Sequence, residues 1–202
     1  ALAGTLNEAA LALFEQLRRS IEAPHARGVK PGLGEIHDAL IKSERYAVDI
    51  QGRLDPSVDL GRFTSALHTL DHMRRLYHRA TQSQRIATIA HDPALREVSA
   101  KFVTLLADLC RSQDLNAAER DFDILRKNLR DERHRIREAA TLNAAAGLLS
   151  VDDTINRLDS IRWLHRSTYH VWRIAHHLGD LTALRAPHKV AASDAALEAE
   201  LD

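Results

Sequence analysis

A chain of 202 residues in which 28 Lys and Arg balance 28 Asp and Glu has no overall field to draw it to nucleic acid or to an acidic membrane, so any binding bias must be local. With 45% apolar residues it can bury a substantial core, yet no apolar run approaches the roughly 20 residues of a membrane span, and none forms a signal-peptide core. The single cysteine, Cys110, excludes an internal disulfide and suits a reducing compartment.

Leu6, Ala10, Leu13, Leu17 and Ile21 recur at steps of three and four after a Thr5/Glu8 capping-box pattern, which predicts a first helix. Pro24, Pro31 and three glycines interrupt the pattern over residues 25–34 before Ile36, Leu40, Ala47, Ile50 and Leu54 resume it in a second helix ending near Asp55 and Pro56. The stretch from Asp59 to Ala90 has no proline and no glycine after Gly61, so a third helix is expected to run through it unbroken. Asp92 and Pro93 are a good N-cap and first helical residue for a fourth helix carrying Leu95, Val98, Phe102, Leu105 and Leu109. Ala118, Phe122, Leu125, Leu129, Ile136 and Ala140 mark a long fifth helix closed by Gly147 and Ser150. Ser150 with Asp153 caps a sixth that reaches about Leu184. Leu125, Trp163, Trp172 and Phe122 are expected in the core or between helices. No segment alternates as a strand does.

The expected fold is therefore all-α with six helices. The order of helix lengths suggests two tandem three-helix units, residues 1–91 and 92–185, followed by a frayed tail over 186–202. A short internal match supports this: Asp71-His72-Met73-Arg74-Arg75-Leu76 aligns with Asp159-Ser160-Ile161-Arg162-Trp163-Leu164.

The segment from Leu70 to Leu76 also resembles the start of the third-helix signature of PhoU-type domains. Arg162-Trp163-Leu164-His165-Arg166, with Tyr169-His170-Val171-Trp172-Arg173-Ile174 and His176-His177-Leu178, is similar to the last helix of the PhoU-like domain at the C-terminus of bacterial sodium/phosphate cotransporters. The resemblance implies two pseudo-repeated three-helix bundles over residues 1–185. It further implies a non-enzymatic regulatory domain at the cytoplasmic face of the bacterial inner membrane, with the membrane-spanning part of the same transporter as its partner. A start at Ala1 without Met fits a domain cut from a longer protein. PhoU proteins hold metal with a Glu-x-x-x-Asp pair in each repeat, and those positions fall here on Arg74 and His78, then on His165 and Tyr169. All four acids are missing, so the family's multinuclear cluster is not expected, and no cofactor is implied.

Positive charge occupies those helices instead. His68, His72, Arg75 and Arg79 share one stripe, and Arg162, Arg166, His170, Arg173 and His177 share another. Residues 161–178 contain no acid, and between Gly61 and Ala90 only Asp71 is acidic. One reading is an anion-binding surface for phosphate, acidic lipid headgroups or an acidic loop of the transporter, with Arg75, Arg79, Arg162, Arg166, His170, Arg173 and His177 as its residues. The other is a solvated face, or pairing across the bundle with Asp108, Glu119, Asp121 and Asp123. Nucleic acid is not an expected partner, and a homodimer is left open.

Twelve histidines give the competing hypothesis. His68 and His72, one turn apart, can present two imidazoles to one metal, as in a metal-binding helical-bundle enzyme or a metal-storage module. No His-Glu-x-x-His, Cys-x-x-Cys or Glu-x-x-His run supplies further ligands, and no nucleophile-elbow or phosphate-loop pattern organises catalysis.

Overall fold

The computed structural model describes residues 2–23, 32–51 and 60–182. They form α1 (Leu2–Glu22), α2 (Leu33–Gln51), α3 (Leu60–Ala80), α4 (Ser83–His91), α5 (Pro93–Ser112), α6 (Leu115–Ala145) and α7 (Val151–Thr182), with no strand among the described residues. The all-α expectation holds. The expected end of the second helix at Asp55 and Pro56, and the tail over 186–202, lie outside the described residues. No described helix is long and apolar enough to cross a membrane.

The unbroken third helix is corrected, which makes seven helices among the described residues where six were expected. Neither proline nor glycine causes the break. The Thr81 hydroxyl donates to the His78 carbonyl at 2.7 Å, a local bond that competes with the helical ladder. Gln82, at φ −81° and ψ 69°, then leaves the helical region. The turn redirects α4 so that Ile86 and Ile89 are buried where α4 meets α7, α5 and α1.

Helix α1 starts at Leu2, ahead of the Thr5/Glu8 pattern expected to cap it, which therefore lies inside the helix; later boundaries follow their sequence signals. Asp92 accepts from the amides of Ala94 and Leu95, while its second oxygen takes Arg157 Nε of α7 at 2.5 Å. One side chain thus caps α5 and ties it to α7. Asp92→Ala should cost about 2–3 kcal/mol in chemical denaturation, and Asp92→Asn, which keeps a capping oxygen, should cost less. A loss under about 0.5 kcal/mol for the alanine variant would deny Asp92 both roles. At the α6 terminus Gly147 has φ +70°, the left-handed conformation that glycine adopts without penalty. The Leu148 amide there reaches back to the Asn143 carbonyl at 2.9 Å.

Three helices, α1, α2 and α3, touch one another; α5, α6 and α7 do the same; α3 and α7 join the two sets through an extensive face. The core runs through Leu13, Phe14 and Leu17 of α1, Met73 and Leu76 of α3, and Phe102 of α5 set edge-on to Phe122 of α6 at 6.0 Å. Leu125 is buried as expected. Trp172 is not a core residue: it is half-buried, with the Arg126 guanidinium 4.6 Å and that of Arg173 5.3 Å from its ring.

The central element is α7. It packs against α6, α3, α4, α1 and α5, and between Ser160 and Leu178 most of its residues are buried, including Ser160, Ser167 and Thr168. A helix in that position keeps only a narrow, partly exposed stripe, through Arg162, Arg166 and His176, for its polar residues. The Thr168 hydroxyl turns back to the Leu164 carbonyl at 2.9 Å.

Candidate functional site

The central position of α7 decides where its basic stripe goes. Arg162 is exposed and pairs with Asp159 at 3.1 Å, and Arg166 is half-buried. His170, Arg173 and His177 are only 3%, 5% and 1% exposed. The stripe is continuous along the helix but enters the protein, so it is not a single solvated face. On α3, Arg75 is exposed and pairs with Asp71 at 2.9 Å, Arg79 and His68 are half-buried, and His72 is buried.

Two clusters result where α3 meets α7. The first is imidazole. His72 Nδ1 lies 3.2 Å from His170 Nδ1, one ring donating and the other accepting. His72 also meets Tyr169 edge-on at 5.8 Å and stacks on His177 at 5.9 Å, and His68 stacks on His177 at 4.9 Å. Burial holds all three inner rings neutral. It pushes His72 down to about 2, helped by His170, Arg173, Arg75 and His68. The His170 value falls to about 3, with Arg79, Arg75 and Arg166 adding to burial. For His177 the value is about 2, with burial reinforced by Arg173, His176, His68 and His72.

The second group is guanidinium: arginines of α3, α6 and α7 that feel one another's charge, with Arg166 common to them. Burial, then Arg166, Arg85 and Arg75, lower Arg79 to about 10. Arg133 of α6 is lowered by burial and by Arg162, Arg130, Arg166 and Arg137. Beside them His165 is buried, held down to about 4 by burial and by Arg133, Arg126, Arg130 and Arg166, and its Nδ1 has no hydrogen-bond partner. Asp71 pairs with Arg75, and Asp159 is shared by Arg162 and Arg85. Neither Arg79 nor Arg133 makes an ion pair among the described residues. Such convergence of like charge suits a multivalent anion.

Of the four acids expected to neutralise the stripes, Glu119 reaches α7, where its Oε1 accepts from His176 Nδ1 at 2.9 Å. Asp108 pairs with Arg111 in α5, Asp123 pairs with Arg126 and Lys127 in α6, and Asp121 is exposed. The PhoU metal positions are scattered: Arg74 is exposed and pairs with Glu44 at 3.2 Å, His78 is exposed, and His165 and Tyr169 are buried in α7. His68 and His72 both stack on His177, and His72 also meets His170. The group of metal-type ligands among the described residues is instead His176, His177 and Asp180, whose ligand atoms lie within 4.8 Å of one another. Sequence reasoning missed it. The available signal was a His-His-x-x-Asp run one turn long near the end of the last helix.

Surface grooves lie between α5 and α6 beside Val98 and Leu125, and between α1 and α2 beside Gln16 and Ile36. Compared with protein-family models, curated proteins and solved structures, the chain matches none of them.

Proposed function

We propose that this chain is a non-enzymatic regulatory domain of PhoU-like architecture, serving a sodium-dependent phosphate transporter at the cytoplasmic face of a bacterial inner membrane. It reads a phosphate-type anion through the arginines around Arg166. What supports the anion reading is that Arg79 of α3 and Arg133 of α6, both lowered first by burial, each also feel the charge of Arg166 of α7. The mutual packing of α1, α2 and α3, and of α5, α6 and α7, is in keeping with a two-unit architecture, although α1 also packs on α5 and α4 lies mainly against α7 and α5. The link to a transporter rests on the resemblance of α7 to the cotransporter helix.

Anion affinity should weaken with salt, since half-exposed arginines are screened within about 8 Å at physiological ionic strength. It should not strengthen as the pH falls from 6.5 to 5 through His170 and His177, because burial keeps both neutral there. This corrects the simple expectation from ordinary histidines. Calorimetric titration with inorganic phosphate, and sedimentation with vesicles containing anionic lipid, separate a free anion from a headgroup. Arg133→Glu and Arg166→Glu should each weaken binding by about tenfold or more. Equal affinity of both variants and the parent at low salt would overturn the anion reading.

A further inference from the structure

A different set of contacts, at the C-terminal end of α7, carries an inference independent of the arginines. His176 donates Nδ1–H to Glu119 Oε1 at 2.9 Å. A neutral imidazole held in that tautomer has its lone pair on Nε2, and Nε2 stands 3.7 Å from Asp180 Oδ2. Two lone-pair donors facing each other at that separation match the span of two ligands on one ion, since bonds of about 2.0–2.2 Å place tetrahedral ligand atoms roughly 3.3–3.6 Å apart. The carboxylate behind the imidazole is the outer partner that fixes tautomer and raises basicity in such sites.

His177 supplies the third donor. Its ring is 1% exposed, yet neither Nδ1 nor Nε2 has a hydrogen-bond partner, and leaving a buried polar atom without one costs about 1–3 kcal/mol. Its ring centroid is 5.1 Å from that of His176, and its ligand nitrogen belongs to the group that lies within 4.8 Å of His176 and Asp180. The carboxylates of Asp180 and Glu119, with the negative end of the α7 dipole, offset the nearby Arg173 charge.

We infer that His176, His177 and Asp180 bind one divalent transition-metal ion of zinc or ferrous type, with Glu119 orienting His176. Two imidazoles and one carboxylate leave coordination positions open to water or to a small anion. The ion is distinct from the multinuclear cluster of the PhoU motif positions, none of which contributes a ligand.

The test is titration of chelator-treated, untagged full chain with Co2+, read by visible absorption, and with Zn2+, read by calorimetry and by thermal unfolding. One Co2+ per chain with a low-symmetry visible band, and a rise in melting temperature with Zn2+, are expected. Asp180→Asn is half-buried and close in shape, so it should fold as the parent does while losing at least about tenfold in affinity; Glu119→Gln should lose about 10–100-fold. The exposed His134→Ala should change nothing. Absence of a stoichiometric site would overturn the inference, as would affinity unchanged by Asp180→Asn or lost in His134→Ala.

Discussion

Acidification from pH 6.5 towards 4 should unfold this protein. His72, His165, His170 and His177 are held at about 2, 4, 3 and 2 in the folded chain, against 6.5 when free. The unfolded chain therefore binds protons below 6.5 that the folded chain refuses, and stability rises with pH throughout that window. Each such histidine contributes a slope of about 1.4 kcal/mol per pH unit once it is charged in the unfolded state and neutral in the folded one. Four together approach about 5 kcal/mol per unit, against a total stability of about 5–15 kcal/mol for a typical domain. The midpoint of acid unfolding should fall at roughly pH 4–5.5. Urea denaturation at several pH values would measure the slope, and His165→Gln should reduce it by about 1.4 kcal/mol per unit. Constant stability between pH 7 and 5 would contradict the burial of these rings as neutral groups.

Trp163→Ala should be the most damaging single truncation at the α3/α7 junction. The side chain is 1% exposed, and its indole Nε1–H donates to the Arg79 carbonyl at 3.2 Å, in the last turn of α3. Removing it leaves a cavity beside the α3/α4 break, at a cost of about 3–5 kcal/mol. Trp163→Phe separates volume from the hydrogen bond. The Arg79 carbonyl also accepts from the Gln82 amide at 3.0 Å, so it keeps a partner and the phenylalanine variant should lose only about 1–2 kcal/mol. A loss below about 1 kcal/mol for the alanine variant, measured by denaturant melts at pH 7.5, would remove Trp163 from the core.

Much of the helical layout was legible because its signals are local. Asp92 before Pro93, Ser150 three residues before Asp153, and Gly147 past the end of α6 each act within one turn, and each functions as its type predicts. The break at Thr81 was not legible, since a threonine in a helix is ordinary and only the packing of Ile86 and Ile89 shows why the chain turns there. For the site, the three-and-four spacing gave the residues that share a stripe of α7 but not the direction in which the stripe faces. A helix covered on most sides has only a weak amphipathic phase from which to read inside and outside. His170, Arg173 and His177 consequently looked like surface charges until α3 and α6 were placed around them. Lack of acid along the middle of α7 was the informative feature, because it left the arginines of α3, α6 and α7 to meet one another.

The surroundings of α7 also set an order of events at the ribosome. Helices α1, α3, α4, α5 and α6 all lay apolar residues against α7, and every one of them precedes it in the chain. Synthesis at about 5–20 residues per second delivers the end of α7 roughly 5–20 s after the end of α3. During that interval the faces of α3 and, later, of α6 that α7 covers lack their partner helix. The nascent chain must wait for α7 as a collection of sticky helices, the kind of intermediate that general chaperones shield from aggregation.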